Sequence, residues 1–436
     1  MAAVVSTKPT WKEVCSLGME IDKDVEIDLS GVTVAVCGGG NGAHAAAGMY
    51  TEKGATVHLF ASIPAEAEKL STGIESNHGL RVKQNNSDST KLDYIVTPKL
   101  VTSDPALAIP SADIVIIFAP GFAHESILRQ VAPHVKPGAA VGSLPAAGGF
   151  DLLARHVLAK GGCEMERITL FGAISLPWAT RIHEYGKEVH IFGTKAELPF
   201  NTHPAVPKVP IANLLTSLHI GTKFVIGKCF LEVTMWPVNP IIHPGIMYGQ
   251  WHESQWDGKP VAKPPMFYTG CTELAEVKLT EMSTELIEVC KALSSALNCE
   301  IDVPRLEGFL LQSYLEIVDK SSLRKMLQTN PAYASLTHPC KKIEKEDGTV
   351  EYLPDFSNRY ITEDLPHGLV TMRGIAELVN VKTPAIDEVL MWCQEKCGHE
   401  YLVDGKICGR DLHRSGAPQR FHITDPTVLM SETPLD

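Results

Sequence analysis

The chain has no uninterrupted apolar run of the roughly 18 residues that a bilayer-spanning helix requires, so no membrane partner is expected. It also lacks an excess of positive charge. Lysine and arginine total 39 against 51 aspartates and glutamates, a formal charge of −12. Nonspecific nucleic-acid binding needs cations to displace counterions, so this balance argues against it, although a local basic pocket for a small anion is still allowed. No G-x-S-x-G elbow is present, and no lysine follows the one glycine-rich loop in the P-loop manner. Both absences weigh against a hydrolase or a nucleoside-triphosphate-driven enzyme. Residues 1–21 carry Lys8, Lys12, Glu13 and Glu20 and no apolar core of the secretory kind, so a cytoplasmic protein is expected. The 11 cysteines are scattered and odd in number. They read as reduced thiols rather than a disulfide framework. Cys393, Cys397, His399 and Cys408 supply only half of a zinc pattern, and no metal is expected.

Against these absences stands Val34-Ala35-Val36-Cys37-Gly38-Gly39-Gly40-Asn41-Gly42-Ala43-His44. An apolar stretch runs into glycines, and small residues follow. Gly38, Gly40 and Ala43 fit G-x-G-x-x-G/A. The first position permits a tight turn, the second lets a pyrophosphate approach the backbone, and the third lets helix and strand pack closely. Gly42 and Asn41 lie inside the same turn. The helix N-terminus beyond offers free N–H groups and a positive dipole end to phosphate. A dinucleotide is therefore the expected cofactor, against the plainer reading of a structural turn.

At 436 residues the chain exceeds the usual span of one hydrophobic core, so two domains are expected. Residues 1–30 read as an extension, helical or irregular. Strands are expected at Thr33–Cys37, Thr56–Ala61, Ala112–Phe118, Ala140–Leu144, Ile168–Ile174 and Val189–Phe192, with a hairpin or extra strand pair at Tyr94–Pro98 and Leu100–Thr102. Helices are expected at Ala43–Lys53 and His124–Ala132, with a short one begun by Glu66–Leu70. This β-α-β alternation implies an α/β fold with a doubly wound parallel sheet of the Rossmann type over residues 1–232. From Pro237 the periodicity turns helical: Ile242–Tyr248, Leu274–Leu297, Leu306–Met326, Gly368–Leu378 and Ile386–Cys397. An all-helical second domain over 236–436 is expected. The turns Gly38–Ala43, Ala119–Ala123 (with Pro120) and Leu144–Gly149 should line one crevice at the strand ends, with the second domain closing over it.

Two segments hold candidate catalytic groups. His243 sits between Pro240 and Pro244 near a helix start, and imidazole titrates where proton exchange at neutral pH needs it. A cap or a backbone hydrogen bond is the plainer role for a lone histidine. Asn358-Arg359-Tyr360-Ile361-Thr362-Glu363-Asp364 gathers a guanidinium, two carboxylates and two hydroxyls ahead of an apolar helix. Arg359 could fork onto a substrate carboxylate, and Asp364 could orient a histidine. Helix capping by Thr362, Glu363 or Asp364 competes with that reading. Trp178 is a pocket-wall candidate, with core packing as its alternative.

At these residues the chain resembles the opine dehydrogenases, the invertebrate octopine dehydrogenase group in particular. The resemblance rests on Cys37–His44, Ala119-Pro120-Gly121-Phe122-Ala123-His124-Glu125, Leu176-Pro177-Trp178-Ala179, His243-Pro244, Trp256-Asp257-Gly258-Lys259-Pro260, Asn358–Asp364 and Glu400-Tyr401-Leu402-Val403-Asp404-Gly405. They occur in order over residues 32–425. The resemblance implies an NADH-dependent reductive condensation of pyruvate with an amino acid through an imine, returning NAD to anaerobic glycolysis. It implies a nicotinamide cofactor on the first domain, the amino acid on the second, a catalytic His243–Asp364 pair, and Arg359 on a substrate carboxylate.

Two departures bear on specificity. The end of the second strand reads Phe60-Ala61-Ser62-Ile63-Pro64, with no carboxylate for a ribose hydroxyl before Glu66 and no arginine for a 2′-phosphate. NADH is therefore expected over NADPH. In Gln312–Lys320 the acids Glu316 and Asp319 are offset by Lys320, Arg324 and Lys325, which points to a small neutral partner: glycine, alanine, β-alanine or taurine. Two rival readings stand: a ketopantoate or 6-phosphogluconate type of dehydrogenase relying on a lysine, and a non-catalytic NAD(H)-sensing protein. Oligomeric state is not legible.

Overall fold

The computed structural model describes residues 8–17, 25–85, 91–236 and 238–435. The chain divides into two compact units, Met1–Val233 with Met430–Asp436, and Thr234–Leu429. Against the expected limits of 1–232 and 236–436, the last residues return to the first unit, where the Thr433 carbonyl accepts a hydrogen bond from Arg155 at 2.8 Å. Within the expected 1–30 extension, Trp11–Ser16 is a helix closed by a Thr10/Glu13 capping box. Residues 1–7 and 18–24 lie outside the described ones.

Among the described residues the first unit has twelve strands in chain order: β1 Thr33–Cys37, β2 Thr56–Phe60, β3 Leu80–Asn85, β4 Lys91–Val96, β5 Leu100–Thr102, β6 Ile114–Ile117, β7 Ala140–Ser143, β8 Thr169–Ala173, β9 Trp178–Glu184, β10 Glu188–Thr194, β11 Glu197–His203 and β12 Lys223–Ile226. Eight form one sheet in the order β12-β11-β8-β7-β6-β1-β2-β5. From β8 to β5 neighbouring strands are parallel, and β11 pairs antiparallel with β8. The order reverses at β1, which has β2 on one side and β6 on the other. That is the switch point where ligands of such sheets bind. β6 is fully buried along its length because parallel strands are covered on both faces.

The remaining four strands make a second sheet, β4-β3-β10-β9, that the sequence patterns did not separate. The expected pairing of Tyr94–Pro98 with Leu100–Thr102 does not occur. β4 pairs antiparallel with β3, and β5 joins the main sheet beside β2. Val189–Phe192 likewise belongs to this smaller sheet. It covers the helix Asn41–Glu52, whose run from Gly42 to Tyr50 is buried on every side. A Cβ on Gly48 would lie 2.3 Å from Val82 Cγ2, so glycine sets the closeness of that contact. Trp178 opens β9 at 3% exposure and stacks on Phe118 and His219. It is a core residue, and the pocket-wall expectation gives way to packing, since an indole enclosed by rings on two sides presents no face to a ligand.

The second unit is mainly helical, with Val238–Trp251, Glu273–Leu297, Leu306–Ser313, Leu323–Gln328, Val370–Leu378 and Pro384–Cys397 as its helices of six or more residues. The expected helix Leu306–Met326 breaks in two. Ser322 accepts a hydrogen bond from the Lys325 N–H and so starts a new helix. Two hairpins break the all-helical expectation: β13 Cys340–Glu344 with β14 Val350–Pro354, and β15 Leu402–Val403 with β16 Lys406–Ile407. Among the described residues no helix is long and apolar enough to cross a membrane, and the cysteines are all free thiols.

Candidate active site

In the first unit the glycine turn joins β1 to the helix Asn41–Glu52. Gly38 has φ +134°, and a Cβ there would lie 2.6 Å from the Phe118 carbonyl oxygen. Only glycine fits that position. Gly40 is the helix N-cap, with no side chain capping the first N–H groups and open space where a Cβ would be. Asn41, Gly42 and Ala43 thus begin a helix whose first turn has no side-chain cap, the kind of terminus that suits a pyrophosphate. The Asn41 side chain itself is engaged, accepting from the Ile182 N–H at 2.8 Å. His44 donates from Nδ1 to the Gly40 carbonyl at 3.0 Å and accepts from the Gly186 N–H at Nε2, also at 3.0 Å. It braces the turn against the β9–β10 hairpin. Pro120 caps a second helix, Gly121–Val131, which follows β6 and likewise has no side-chain cap.

One acidic group near this turn escaped the sequence patterns as a ligand. Glu66 lies in the first turn of the helix Pro64–Ser76. A Cβ on Gly39 would meet its carboxyl carbon at 2.3 Å, so the carboxylate rests directly on the glycine turn. The usual place for such an acid is the strand end, which here holds Ala61. The helix that follows the glycine turn and the nearby Glu66 carboxylate together suit a dinucleotide.

In the second unit His243 stands on Val238–Trp251. Gly245 and Gly249 let this helix approach Glu273–Leu297 closely: added Cβ atoms would fall 2.6 Å from Leu279 Cδ2 and 2.4 Å from Ala275 Cβ. Gly368 does the same against Pro240, at 2.5 Å, and draws the Asn358–Leu369 segment onto the start of the His243 helix. Directly after Asp364 the chain makes a single π-turn, Leu365–Leu369, with His367 outside helical angles. Such turns re-aim side chains. Asp364 caps no helix with its side chain. Its Oδ2 instead lies 2.6 Å from His243 Nδ1. The two side chains are 14% and 8% exposed.

The carboxylate can only accept, so Nδ1 carries the hydrogen and Nε2 of the neutral ring is left as an acceptor. There Tyr268 donates its hydroxyl at 2.9 Å. Tyr360 lies face to face with the imidazole, centroids 3.9 Å apart and planes 17° apart, and Phe267 meets it edge-on at 5.7 Å. Burial, reinforced by neighbouring phenols and Asp364, holds the Tyr268 hydroxyl well above its ordinary range. Burial raises Tyr360 as well, and Asp364 adds to this. Both phenols therefore stay protonated at neutral pH.

Arg359 opens the four-residue helix Arg359–Thr362, beside Tyr360, under an Asn358 cap whose Oδ1 accepts from the Tyr360 N–H at 3.1 Å. It is exposed. Its charge is felt at Tyr360. The structure so brings His243, Asp364 and the Arg359 segment into one unit, and adds Tyr268, for which the sequence offered no signal beyond its place after the Trp256–Pro260 motif.

Comparison with known proteins follows the same lines. Residues 226–397 match the family described as NAD/NADP octopine/nopaline dehydrogenase, alpha-helical domain. The chain is 36% identical to the octopine dehydrogenase of Pecten maximus, over 89% of this chain and 96% of that one. It is 36% identical to the tauropine dehydrogenase of Arabella iricolor, over 89% and 98%. An octopine dehydrogenase solved with NADH and L-arginine superposes with a TM-score of 0.84 at 35% identity, covering 92% of this chain and 98% of that one. The same enzyme with NADH and pyruvate gives 0.81. Glycine turn, helical domain and relatedness across nearly the whole length lead to one assignment: the chain belongs to the opine dehydrogenase family, NAD-dependent oxidoreductases acting on the CH–NH group of donors.

Proposed function

We propose that this enzyme condenses pyruvate with a small neutral amino acid or sulfonate, namely glycine, alanine, β-alanine or taurine, and reduces the resulting imine with NADH, returning NAD to anaerobic glycolysis in the cytoplasm. The observation that carries the reading is the His243–Asp364 pair: a nearly enclosed imidazole whose tautomer is fixed by a carboxylate 2.6 Å away. An amine attacks a carbonyl only after losing its proton, and the carbonyl oxygen leaves only after gaining protons. One imidazole can accept the first proton and return it in the second step, and Asp364 stabilises the imidazolium formed between them. Arg359 binds the pyruvate carboxylate through its planar fork. Bound at the glycine turn, the nicotinamide cofactor supplies the hydride. Glu66 is the carboxylate we assign to the ribose hydroxyls, which supports NADH over its phosphorylated form, since a 2′-phosphate would meet like charge there.

The neutral amine is supported by two acids that are already engaged, Asp319 from the Gln312–Lys320 stretch and Glu276 from the helix Glu273–Leu297, whereas Glu316 of the same stretch is exposed. Asp319 accepts from the Ser321 N–H at 3.0 Å. Glu276 accepts from the Arg324 N–H at 3.0 Å and pairs with its guanidinium. Neither is held in reserve for a cationic substrate. Eleven free thiols support the cytoplasmic placement. The test is turnover with pyruvate and NADH across glycine, alanine, β-alanine, taurine and arginine. The neutral amines give the higher kcat/KM, and a preference for arginine overturns that assignment.

A further inference from the structure

The Nε2 atom of His243 has one lone pair, and the Tyr268 hydroxyl already occupies it at 2.9 Å. Nδ1 is committed to Asp364. Neither nitrogen is therefore open to a substrate in the resting enzyme, yet the reading above needs a proton to reach this ring. Tyr268 is not loosely placed. It is 8% exposed, and its ring stacks on Tyr333 with centroids 4.0 Å apart and planes 16° apart. Phe267 packs edge-on against it at 4.8 Å, and the Cys271 N–H holds its carbonyl at 3.1 Å. Swinging the phenol aside for each turnover would break that stack.

We propose that the Tyr268 hydroxyl carries the substrate proton to Nε2 of His243, an inference that rests on the catalytic role assigned to His243. The ammonium N–H of the amino acid breaks and an O–H bond forms at Tyr268. The original Tyr268 O–H breaks and an Nε2–H bond forms. The electron pair stays on the substrate nitrogen, free to attack the carbonyl. The phenol is neutral before and after, so no tyrosinate has to be stable. A hydroxyl both donates and accepts, so it stays bonded to Nε2 in either protonation state, and it returns the proton by the same path when the carbonyl oxygen leaves as water. Tyr268 is on this account a catalytic residue.

The test compares the wild-type full chain with Tyr268→Phe and with 3-fluorotyrosine placed at 268, using pyruvate, NADH and the best amine of the panel. Tyr268→Phe lowers kcat by about a hundredfold, the low end of proton-transfer contributions, with KM for pyruvate unchanged. Fluorotyrosine keeps the shape and alters only phenol acidity, and kcat changes with it. The solvent-deuterium proton inventory of the wild type is curved, as two protons in flight require, and becomes linear in Tyr268→Phe. A Tyr268→Phe enzyme with wild-type kcat, or a fluorotyrosine enzyme with an unaltered rate and a linear wild-type inventory, overturns the relay. If His243→Ala is inactive while Tyr268→Phe is fully active, the relay alone fails. If His243→Ala is itself active, the underlying reading fails.

Discussion

Tyr360 lies parallel to His243, ring on ring at 3.9 Å. It follows Arg359 directly and precedes Asp364 by one helical turn. A single short segment therefore supplies the guanidinium, the face that holds the imidazole flat, and the carboxylate that fixes its tautomer. Such shared placement makes the local backbone, not only each side chain, part of the site.

Asp364→Asn keeps the shape and removes the charge. The amide can present its NH₂ to Nδ1 and force the wrong tautomer. We expect kcat to fall by about 10²–10⁴-fold with a thermal midpoint close to wild type. Steady-state NADH oxidation alongside a melting curve reads both, and an unaltered kcat would remove Asp364 from the mechanism.

Arg359 is exposed, so its loss should leave the fold intact. Arg359→Gln raises KM for pyruvate by about tenfold or more, since a charge-assisted fork is worth roughly 1.5–3 kcal/mol. Arg359→Lys recovers only part of this because an ammonium cannot make two parallel bonds. Equal KM values in all three proteins would place the carboxylate elsewhere.

The glycine turn offers a contrast between two neighbours. Gly38→Ala meets a carbonyl oxygen at 2.6 Å at a positive φ and should destabilise the fold. Gly40→Ala meets no atom within 4 Å at an ordinary φ of −85°. It should fold normally and yet bind NADH more weakly, because the methyl enters the space left for pyrophosphate. Fluorescence titration with NADH reads the affinity. A Gly40→Ala protein with wild-type affinity would contradict the cofactor placement. In the same titration Glu66→Gln should narrow the gap between NADH and NADPH.

Stability should fall as pH drops below neutral. Burial pushes the imidazoles of His203, His219 and His338 down to about 3 and that of His124 to about 4. In the unfolded chain these rings take up protons near pH 6.5, while the folded chain excludes them. Their contribution is therefore complete above about pH 6.5 and is lost progressively as pH falls toward 4. Asp151, raised by burial to about 6, and Glu285, also raised by burial, act in the opposite sense over part of this range, but they are two groups against four. Urea midpoints at pH 7.5, 6 and 5 should decline in that order, and a rising midpoint would contradict the burial of these rings.

How much of this was legible in the residues varied with the kind of signal. Ile114–Ile117 and the glycine turn were readable because a doubly covered strand is apolar throughout and a dinucleotide turn demands glycine at fixed spacing. The second sheet was not. β9 holds Arg181, His183 and Glu184 with mixed exposure, and a half-exposed strand set by long-range pairing leaves a weak period. The β13–β14 hairpin escaped for the same reason, carrying Lys341, Lys342, Glu344 and Glu351. At the site His243, Arg359 and Asp364 were visible as residue types near prolines and caps, but whether Asp364 capped a helix or oriented a ring depended on the π-turn after it. Tyr268 was invisible because nothing in Phe267-Tyr268-Thr269-Gly270 marks a hydroxyl that points at an imidazole 25 residues away.

The most direct measurement is NADH oxidation by the wild type and by His243→Ala, with pyruvate alone and with pyruvate plus glycine, alanine, β-alanine or taurine. The account predicts oxidation that requires both pyruvate and an amine, and a loss of at least about a hundredfold in kcat on removing the imidazole. Oxidation that proceeds equally well without an amine, or that survives in His243→Ala at the wild-type rate, would contradict it.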